Sequence, residues 1–212
     1  MRKTTAIWKI KMIGLKVIMC DPAGKVSPFN DGHDIRNDPF AIVGAEFDLN
    51  KYKIKWRLAK QFKKDSFQNV AMYLKDIKKR IKPNFMGLET NNNGGDILKL
   101  FHKKYKLNYI HGVTMSGNLT EKTRSKGYSV DKYFITNWFK KKYKEGMFEF
   151  PRNPTEDMKE FMNQIPKIVP VMTANGSTTY RAYRNQHDDL FLAALHCCNI
   201  IRLFIEEQER MK

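Results

Sequence analysis

Residues 185–195 read Asn185-Gln186-His187-Asp188-Asp189-Leu190-Phe191-Leu192-Ala193-Ala194-Leu195, so two adjacent acids open an apolar segment. Apolar side chains recur three or four residues apart from there on, at Leu190, Ala194, Cys197, Ile201 and Phe204. This spacing predicts a helix with one buried face. A single acid at the start would be explained as a helix cap. Because a second acid beside it adds repulsion, the pair predicts more than a cap.

Two further acids end short apolar runs that we interpret as buried strands. Leu15–Cys20 is followed by Asp21 and then by Pro22-Ala23-Gly24, and Phe85–Leu88 is followed by Glu89. Pro and Gly are typical of strand ends and turns. If the two strands are neighbours, both acids meet at one edge of a sheet, where the acids of the last helix can join them.

A cluster of three or four ionised carboxylates repels itself unless a cation offsets the charge. Hard oxygen ligands suit Mg²⁺ or Mn²⁺ rather than zinc. Two such ions about 4 Å apart can activate a water molecule and stabilise the leaving oxygen of a phosphodiester. The acids therefore predict a divalent metal site that acts on phosphodiesters.

The order of the other elements predicts an α/β fold. Two more strands follow the first, at Phe40–Leu49 and at Tyr52–Leu58, and even-numbered residues of the latter face the core. A helix over Phe67–Ile81 precedes the fourth strand, and a helix from about Asp96 to Tyr105 and a strand at Tyr109–Val113 complete a β-α-β unit. We expect a mixed sheet of five or more strands, three antiparallel and then parallel, flanked by helices.

Composition indicates one folded domain with a polyanionic partner. The chain has 212 residues, of which 42% are hydrophobic, and its formal net charge is +17. This surplus favours a nucleic-acid partner over a charge that serves solubility alone. Three cysteines without a CxxC pair indicate a reducing compartment. No apolar run is long enough to span a membrane, so we expect no membrane partner.

Three motifs occur in order along the chain: Cys20-Asp21-Pro22-Ala23-Gly24, Gly87-Leu88-Glu89-Thr90-Asn91 with Gly94 or Gly95, and His187-Asp188-Asp189-Leu190 with Ala193-Ala194. Together they resemble the nuclease domain of viral large terminase subunits, which has a ribonuclease H-like fold. Gly112-Val113-Thr114, the Lys122–Lys126 region and Gly146-Met147-Phe148 are also similar. The resemblance covers about Leu15 to Ile205.

The resemblance implies a metal-dependent endonuclease that cuts double-stranded DNA during viral genome packaging. The matching Asp21 and Glu89 are then catalytic residues and ligands of two divalent ions, Mg or Mn. The third ligand is Asp188 or Asp189, and we favour Asp189 with Asp188 close behind. Large terminases carry an ATPase motor before the nuclease, and we find no nucleotide-hydrolysis motif here. We therefore expect residues 1–212 to be a single nuclease domain.

Partners and location follow from the same resemblance. Besides double-stranded DNA, it implies a separate ATPase motor, a portal or a small terminase subunit. The protein would act in the cytoplasm of the host cell. Lys122, Arg124 and Lys126 are candidate DNA contacts near the cut, although the default interpretation is a solvated basic loop. Arg181 and Arg184 are stronger candidates for phosphate contact, because they stand just before the paired acids.

Two polar residues beside the acids have two interpretations each. In the first interpretation, His187 lies outside the ligand sphere and orients a carboxylate or a water molecule. In the second, it stabilises the local turn or helix start. Asn91 either holds the loop after Glu89 or approaches the metal, and we favour the loop.

Two other functions remain open. One is a different ribonuclease H-like nuclease, such as a junction resolvase or a transposase-type strand cutter. The other is a non-catalytic basic DNA-binding module in which the acids cap helices and strands. Both enzymatic interpretations require Asp21, Glu89 and Asp189 to converge in space.

Overall fold

The computed structural model describes residues 14–22, 39–63, 65–91, 93–116, 128–172, 176, 178–183 and 188–211. Within these residues the strands are β1 (Gly14–Asp21), β2 (Phe40–Asp48), β3 (Lys53–Phe62), β4 (Phe85–Glu89), β5 (His111–Val113), β6 (Met115–Ser116), β7 (Val130–Asp131), β8 (Phe148–Glu149), β9 (Ile168–Met172) and β10 (Thr178–Ala182). The α-helices are α1 (Phe67–Ile81), α2 (Gly94–Lys103), α3 (Lys132–Lys144), α4 (Glu156–Gln164) and α5 (Asp189–Arg210).

The main sheet of the described residues has six strands in the order β5-β4-β1-β2-β3-β8. Strands β1, β2 and β3 are antiparallel neighbours, whereas β4 pairs parallel with both β1 and β5. Helix α2 connects β4 to β5, which completes a β-α-β unit. The predicted mixed sheet, three antiparallel strands followed by a parallel unit, is confirmed, and β8 extends it with a parallel pairing to β3.

Each face of the sheet is covered by its own layer of helices. Leu15, Val17 and Met19 of β1 join the core that contains the apolar side of α5. Ile18 and Cys20, which alternate with them, join a second core under α1 and α2. This period of two is the geometry of a strand buried on both faces. Side chains at odd-numbered positions of β1 therefore point toward α5.

An aromatic cluster fills the α5 side of the sheet beneath α3 and α4. Trp56 is 1% exposed. Its ring lies 5.1–6.4 Å from four others, those of Phe139, Phe148, Phe150 and Phe161. Aromatic pairs at such separations contribute about 0.5–1.5 kcal/mol each beyond the burial of their area. The cluster therefore anchors α3 and α4 to the sheet.

The expected side-chain alternation along the third strand is wrong at both of its ends. Tyr52 lies in the turn before β3 with φ 52°, and its side chain is 43% exposed. A β-bulge interrupts the pairing of β2 with β3, because Gly44 faces Leu58 while Ala45 faces Trp56. The extra residue turns Leu58 toward the core under α1, opposite Trp56.

Helix termini follow ordinary capping chemistry in α1 and α3. Ser66 accepts a hydrogen bond from the backbone of Asn69 at the start of α1, and Asp131 does the same for Phe134 at the start of α3.

Among the helices of the described residues, none combines the length and apolar character needed to cross a bilayer.

Candidate functional site

Asp21 and Glu89 lie side by side at the carboxyl ends of two parallel strands. Asp21 ends β1 and Glu89 ends β4, and the residues before them, Cys20 and Leu88, are paired in register. Asp21 occupies an odd-numbered position of β1, so it shares the face of α5. Each acid is only 8% exposed. The sheet therefore presents two nearly buried carboxylates at one edge, beneath the last helix.

The two acids at the start of α5 reach the same point. Asp188 stands at the N-cap position, yet its side chain makes no capping hydrogen bond. Its Oδ2 lies 4.0 Å from Nζ of Lys132, and the Asp188 carboxylate hydrogen-bonds the backbone of Ala182. Asp189 is the first residue of α5, and its charge raises the pKa of Asp21 more than the charge of Asp188 does. The four acids predicted from sequence are therefore close enough to interact electrostatically.

Asp21 is the carboxyl most strongly affected by this crowding. Burial raises its pKa well above the ordinary value, and the charges of Glu89, Asp189 and Asp188 raise it further. Lys132 opposes the shift. Burial also raises the pKa of Asp188, against the opposing effect of Lys132. The edge of the sheet thus concentrates negative charge that a nearby cation would stabilise.

Glu89 is held by two nitrogen groups instead. Nε2 of His196 lies 3.0 Å from Oε2 of Glu89, and Nδ2 of Asn91 donates to Oε1 at 2.7 Å. Burial by itself would raise the pKa of Glu89. The charge and hydrogen bond of His196, helped by Asn91 and Lys132, outweigh burial and lower the pKa. Glu89 is therefore the ionised, oriented member of the cluster.

The turn after β4 fixes where Glu89 stands. Nδ2 of Asn91 also donates to the carbonyl of Met115. The backbone N–H of Thr90 donates to the carbonyl of Val113 at 2.8 Å, and its hydroxyl donates to the same oxygen at 2.9 Å. These bonds tie the end of β4 to the chain around β5. The interpretation of Asn91 as a loop-holding residue agrees with them, and the same side chain also contacts Glu89.

Gly94 brings the start of α2 against the backbone of Glu89. A Cβ atom at position 94 would lie 2.0 Å from the carbonyl oxygen of Glu89, whereas one at Gly95 would have only Thr90 O nearby, at 3.9 Å. The motif glycine left undecided between these two positions is therefore Gly94. Its missing side chain lets helix and strand approach closely.

Sequence reasoning missed two residues of the site. His196 is 1% exposed and contacts Glu89, although no ligand spacing singles it out. Its position seven residues after Asp189, on the same helical face, was the available signal. Lys132 begins α3 directly after a capping acid, and nothing in the local sequence indicates that it reaches Asp188.

The predicted DNA contacts are described only in part. Lys122, Arg124, Lys126 and Arg184, together with His187, lie outside the described residues. Arg181 is exposed in β10, next to Ala182, whose backbone contacts Asp188. The chain thus passes close to the carboxylates at this point.

The donor set suits a hard divalent cation in its chemistry. Asp21, Glu89, Asp188 and Asp189 offer carboxylate oxygens, which Mg²⁺ and Mn²⁺ prefer. Within the described residues, however, no three His, Cys, Asp or Glu side chains form a ready-made group of metal ligands. Both oxygens of Glu89 already accept hydrogen bonds, from His196 and Asn91. The residues fit such an ion by type, and the ligand geometry is not preformed.

The sheet order and the flanking helices define a ribonuclease H-like α/β fold. No protein-family model matches the sequence, and no match was found among curated proteins. Solved structures do match. The large terminase nuclease of thermophilic phage G20c with bound magnesium is 13% identical, with a TM-score of 0.57 over 87% of this chain and 80% of that one.

Two other matches come from different viruses. The nuclease domain of the large terminase g2p of bacteriophage SPP1, with bound Mn, is 11% identical with a TM-score of 0.52, over 86% of this chain and 83% of that one. The nuclease domain of the large terminase subunit gp2 of bacterial virus Sf6 is 11% identical with a TM-score of 0.54, over 93% of both chains. The architecture of this chain is therefore that of the large terminase nuclease domain.

Proposed function

We propose that this protein is a divalent-metal-dependent endonuclease that cuts double-stranded DNA during viral genome packaging. The observation that carries the proposal is the convergence of four acids from three separate segments at one edge of the sheet. Capping does not explain this arrangement, because Asp188 makes no capping hydrogen bond. The fold shared with terminase nucleases, two of which were crystallised with magnesium or manganese, supports the same chemistry.

In this proposal Asp21, Glu89 and Asp189, with Asp188 beside them, hold two divalent ions, Mg or Mn. When bound, the ions activate a water molecule and stabilise the leaving oxygen of the phosphodiester. The protein contributes the placement of its own groups. Asn91 orients the Glu89 carboxylate through the bonds described above, and such supporting contacts tune a metal ligand.

Lys132 and His196 contribute charge and orientation to the site. Lys132 lies at the edge of the carboxylate cluster and lowers the pKa of its acids against the effect of burial. It therefore keeps more of the cluster ionised and ready to bind a cation. His196 holds the Glu89 oxygen that Asn91 does not contact. Together the two nitrogen groups restrict rotation of that carboxylate.

DNA would bind with its scissile phosphate at these acids. The net charge of +17 favours binding to phosphate, and we assign phosphate contacts to Lys122, Arg124, Lys126, Arg181 and Arg184. We propose that the 212 residues act as one nuclease domain in the host cell cytoplasm. Translocation would then come from an ATPase motor outside these 212 residues, with a portal or a small terminase subunit as further partners.

The test is cleavage of supercoiled plasmid in Mg²⁺, Mn²⁺ or EDTA. We expect nicking or linearisation with either metal, none with EDTA, and loss of cleavage in Asp21→Ala and Asp189→Ala. Glu209→Ala is the matched control, because Glu209 is an exposed acid near the carboxyl end of α5, about 30 Å along the helix from Asp189. Circular dichroism verifies that each variant is folded.

Two outcomes would overturn the assignment. Cleavage by a folded Asp21→Ala protein would show that the acid cluster is not catalytic. No cleavage in either metal, with DNA binding retained, would favour the non-catalytic DNA-binding module. Branched and linear duplexes compared side by side separate the remaining alternative, since a junction resolvase prefers the branched substrate.

A further inference from the structure

A concentration of positive charge lies at the end of the parallel strands opposite the acids. Helix α1 ends just before β4 begins, and α2 starts at the Glu89 end of β4 and runs back. The carboxyl ends of both helices therefore lie about 15 Å from the acids, the length of a five-residue strand. We call the six exposed lysines at this end the basic pole: Lys78, Lys79, Lys82, Lys103, Lys104 and Lys106.

Described contacts join the segments of the basic pole into one surface. Nζ of Lys78, on α1, lies 3.3 Å from the ring centroid of Tyr109 in the loop that follows α2. Nε2 of His102, in the last turn of α2, lies 2.8 Å from the carbonyl of Ile110 in the same loop. The two helix ends and the loop between α2 and β5 are therefore neighbours in space.

Strand β1 adds a seventh cation to this end of the sheet. The backbone N–H of Lys16 donates to the side chain of Asn84 at 2.8 Å, and the N–H of Asn84 donates to the carbonyl of Lys16 at 2.9 Å. Lys16 is exposed and alternates with side chains of the α5 face, so it points to the side of α1 and α2.

Little negative charge offsets the basic pole. Across residues 75–82 and 103–110 the one acid in the sequence is Asp76. Its carboxylate lies 2.7 Å from the guanidinium of Arg80, so it is already paired. Helix dipoles favour cations at the carboxyl ends of helices, but only by about 0.3–1 kcal/mol for each cation. The dipole does not account for Lys106 in the loop. Lys16 faces Glu46 across the β1–β2 pair, and Glu46 already pairs with Arg57.

The chemistry of the surface favours a nucleic acid over a protein partner. Protein interfaces are depleted in lysine and enriched in aromatic and methionine side chains. None of the exposed large hydrophobic side chains in the described part of the chain lies within residues 75–82 or 103–110. Lysine-rich surfaces without apolar anchors instead neutralise phosphates through release of counterions.

We propose that the basic pole is a second binding surface for duplex DNA, separate from the carboxylate edge. It binds the phosphate backbone, because lysine side chains are mobile positive charges that pair with phosphate oxygens. A DNA segment away from the cut would thereby be held on the opposite end of the domain. This goes beyond the proposed cleavage and does not require it.

The test compares two triple variants that each remove three positive charges. Lys79→Gln, Lys82→Gln and Lys104→Gln alter the basic pole. Lys51→Gln, Lys144→Gln and Arg152→Gln alter exposed cations near β3 and β8, the strands at the opposite edge of the sheet from β4 and β5. Fluorescence anisotropy with a 30-base-pair duplex in EDTA, at several salt concentrations, measures binding while cleavage is switched off. Thermal unfolding verifies that both variants are folded.

We expect the pole variant to bind at least about tenfold more weakly, with the slope of log K against log salt reduced by about 2.7, or 0.9 for each lost phosphate contact. The control variant should keep the slope of the wild type. Equal losses in both variants would show that only total charge matters and would overturn the proposal. Unchanged binding of the pole variant would also overturn it and would favour an acidic protein as the partner of the basic pole. Because EDTA is present throughout, neither result depends on whether the acids cut DNA.

Discussion

Alanine at Gly94 and alanine at Gly95 should change stability in opposite directions. At position 94 the new Cβ would lie 2.0 Å from the carbonyl oxygen of Glu89 and 3.2 Å from Cγ of Pro22. The clash is with backbone, so no side-chain rotation relieves it. At position 95 the new Cβ would lie 3.9 Å from the carbonyl oxygen of Thr90, an ordinary contact and the nearest among the described residues.

The size of the effect follows from these distances. Restoring an optimal separation of about 3.5 Å requires α2 and the end of β4 to move apart by about 1.5 Å. Overpacking of this kind costs about 1–3 kcal/mol, which lowers Tm by about 2–4 °C per kcal/mol for a chain of this length. Gly95→Ala should instead stabilise by about 0.4–1 kcal/mol, because alanine restricts the unfolded chain and favours the helix.

Thermal and urea unfolding of the two variants in EDTA, monitored by circular dichroism, show whether each substitution raises or lowers stability. Each variant is the other's control, since the two positions are adjacent and the substitution is the same. If Gly94→Ala unfolds at the wild-type temperature, α2 does not approach Glu89 as described. A repeat in Mg²⁺ tests the site, because the displaced Glu89 should give a smaller metal-induced rise in Tm.

Three further outcomes are expected. Burial and neighbouring acids raise the pKa of Asp21, so the folded state holds its proton more tightly and metal-free stability falls as pH rises above the ordinary Asp value. Asp21→Asn should therefore raise Tm at pH 7, and its Tm should decrease less than that of the wild type between pH 4 and 8, as measured by calorimetry. Asn91→Ala removes the donor to Oε1 of Glu89 and to the carbonyl of Met115 and should cost about 1–3 kcal/mol in urea unfolding, unlike Asn108→Ala at an exposed position. Lys132→Met removes the cation that lowers the pKa of the acids, so its Tm should fall more steeply with pH than that of the wild type.

Local patterns were sufficient for most of the fold. Short, mostly apolar runs, each followed by an acid, predicted β1 and β4, and helical spacing predicted α1 and α5. The third strand shows where such reasoning fails. Its alternation is correct from Ile54 to Trp56 and reverses at Leu58, because a bulge inserts one residue. A bulge depends on pairing with the neighbouring strand, which the sequence of one strand does not contain.

The amino-acid sequence by itself determined that acids stand at the ends of two apolar strands and at the start of an apolar helix. It did so because strand and helix periodicities depend on neighbours a few residues away. The packing of the folded chain brings Lys132 and His196 to these acids and places Gly94, not Gly95, against the Glu89 backbone. Those contacts connect residues far apart in the chain. They depend on how helices pack on the sheet, and packing is set by the whole core rather than by any local pattern.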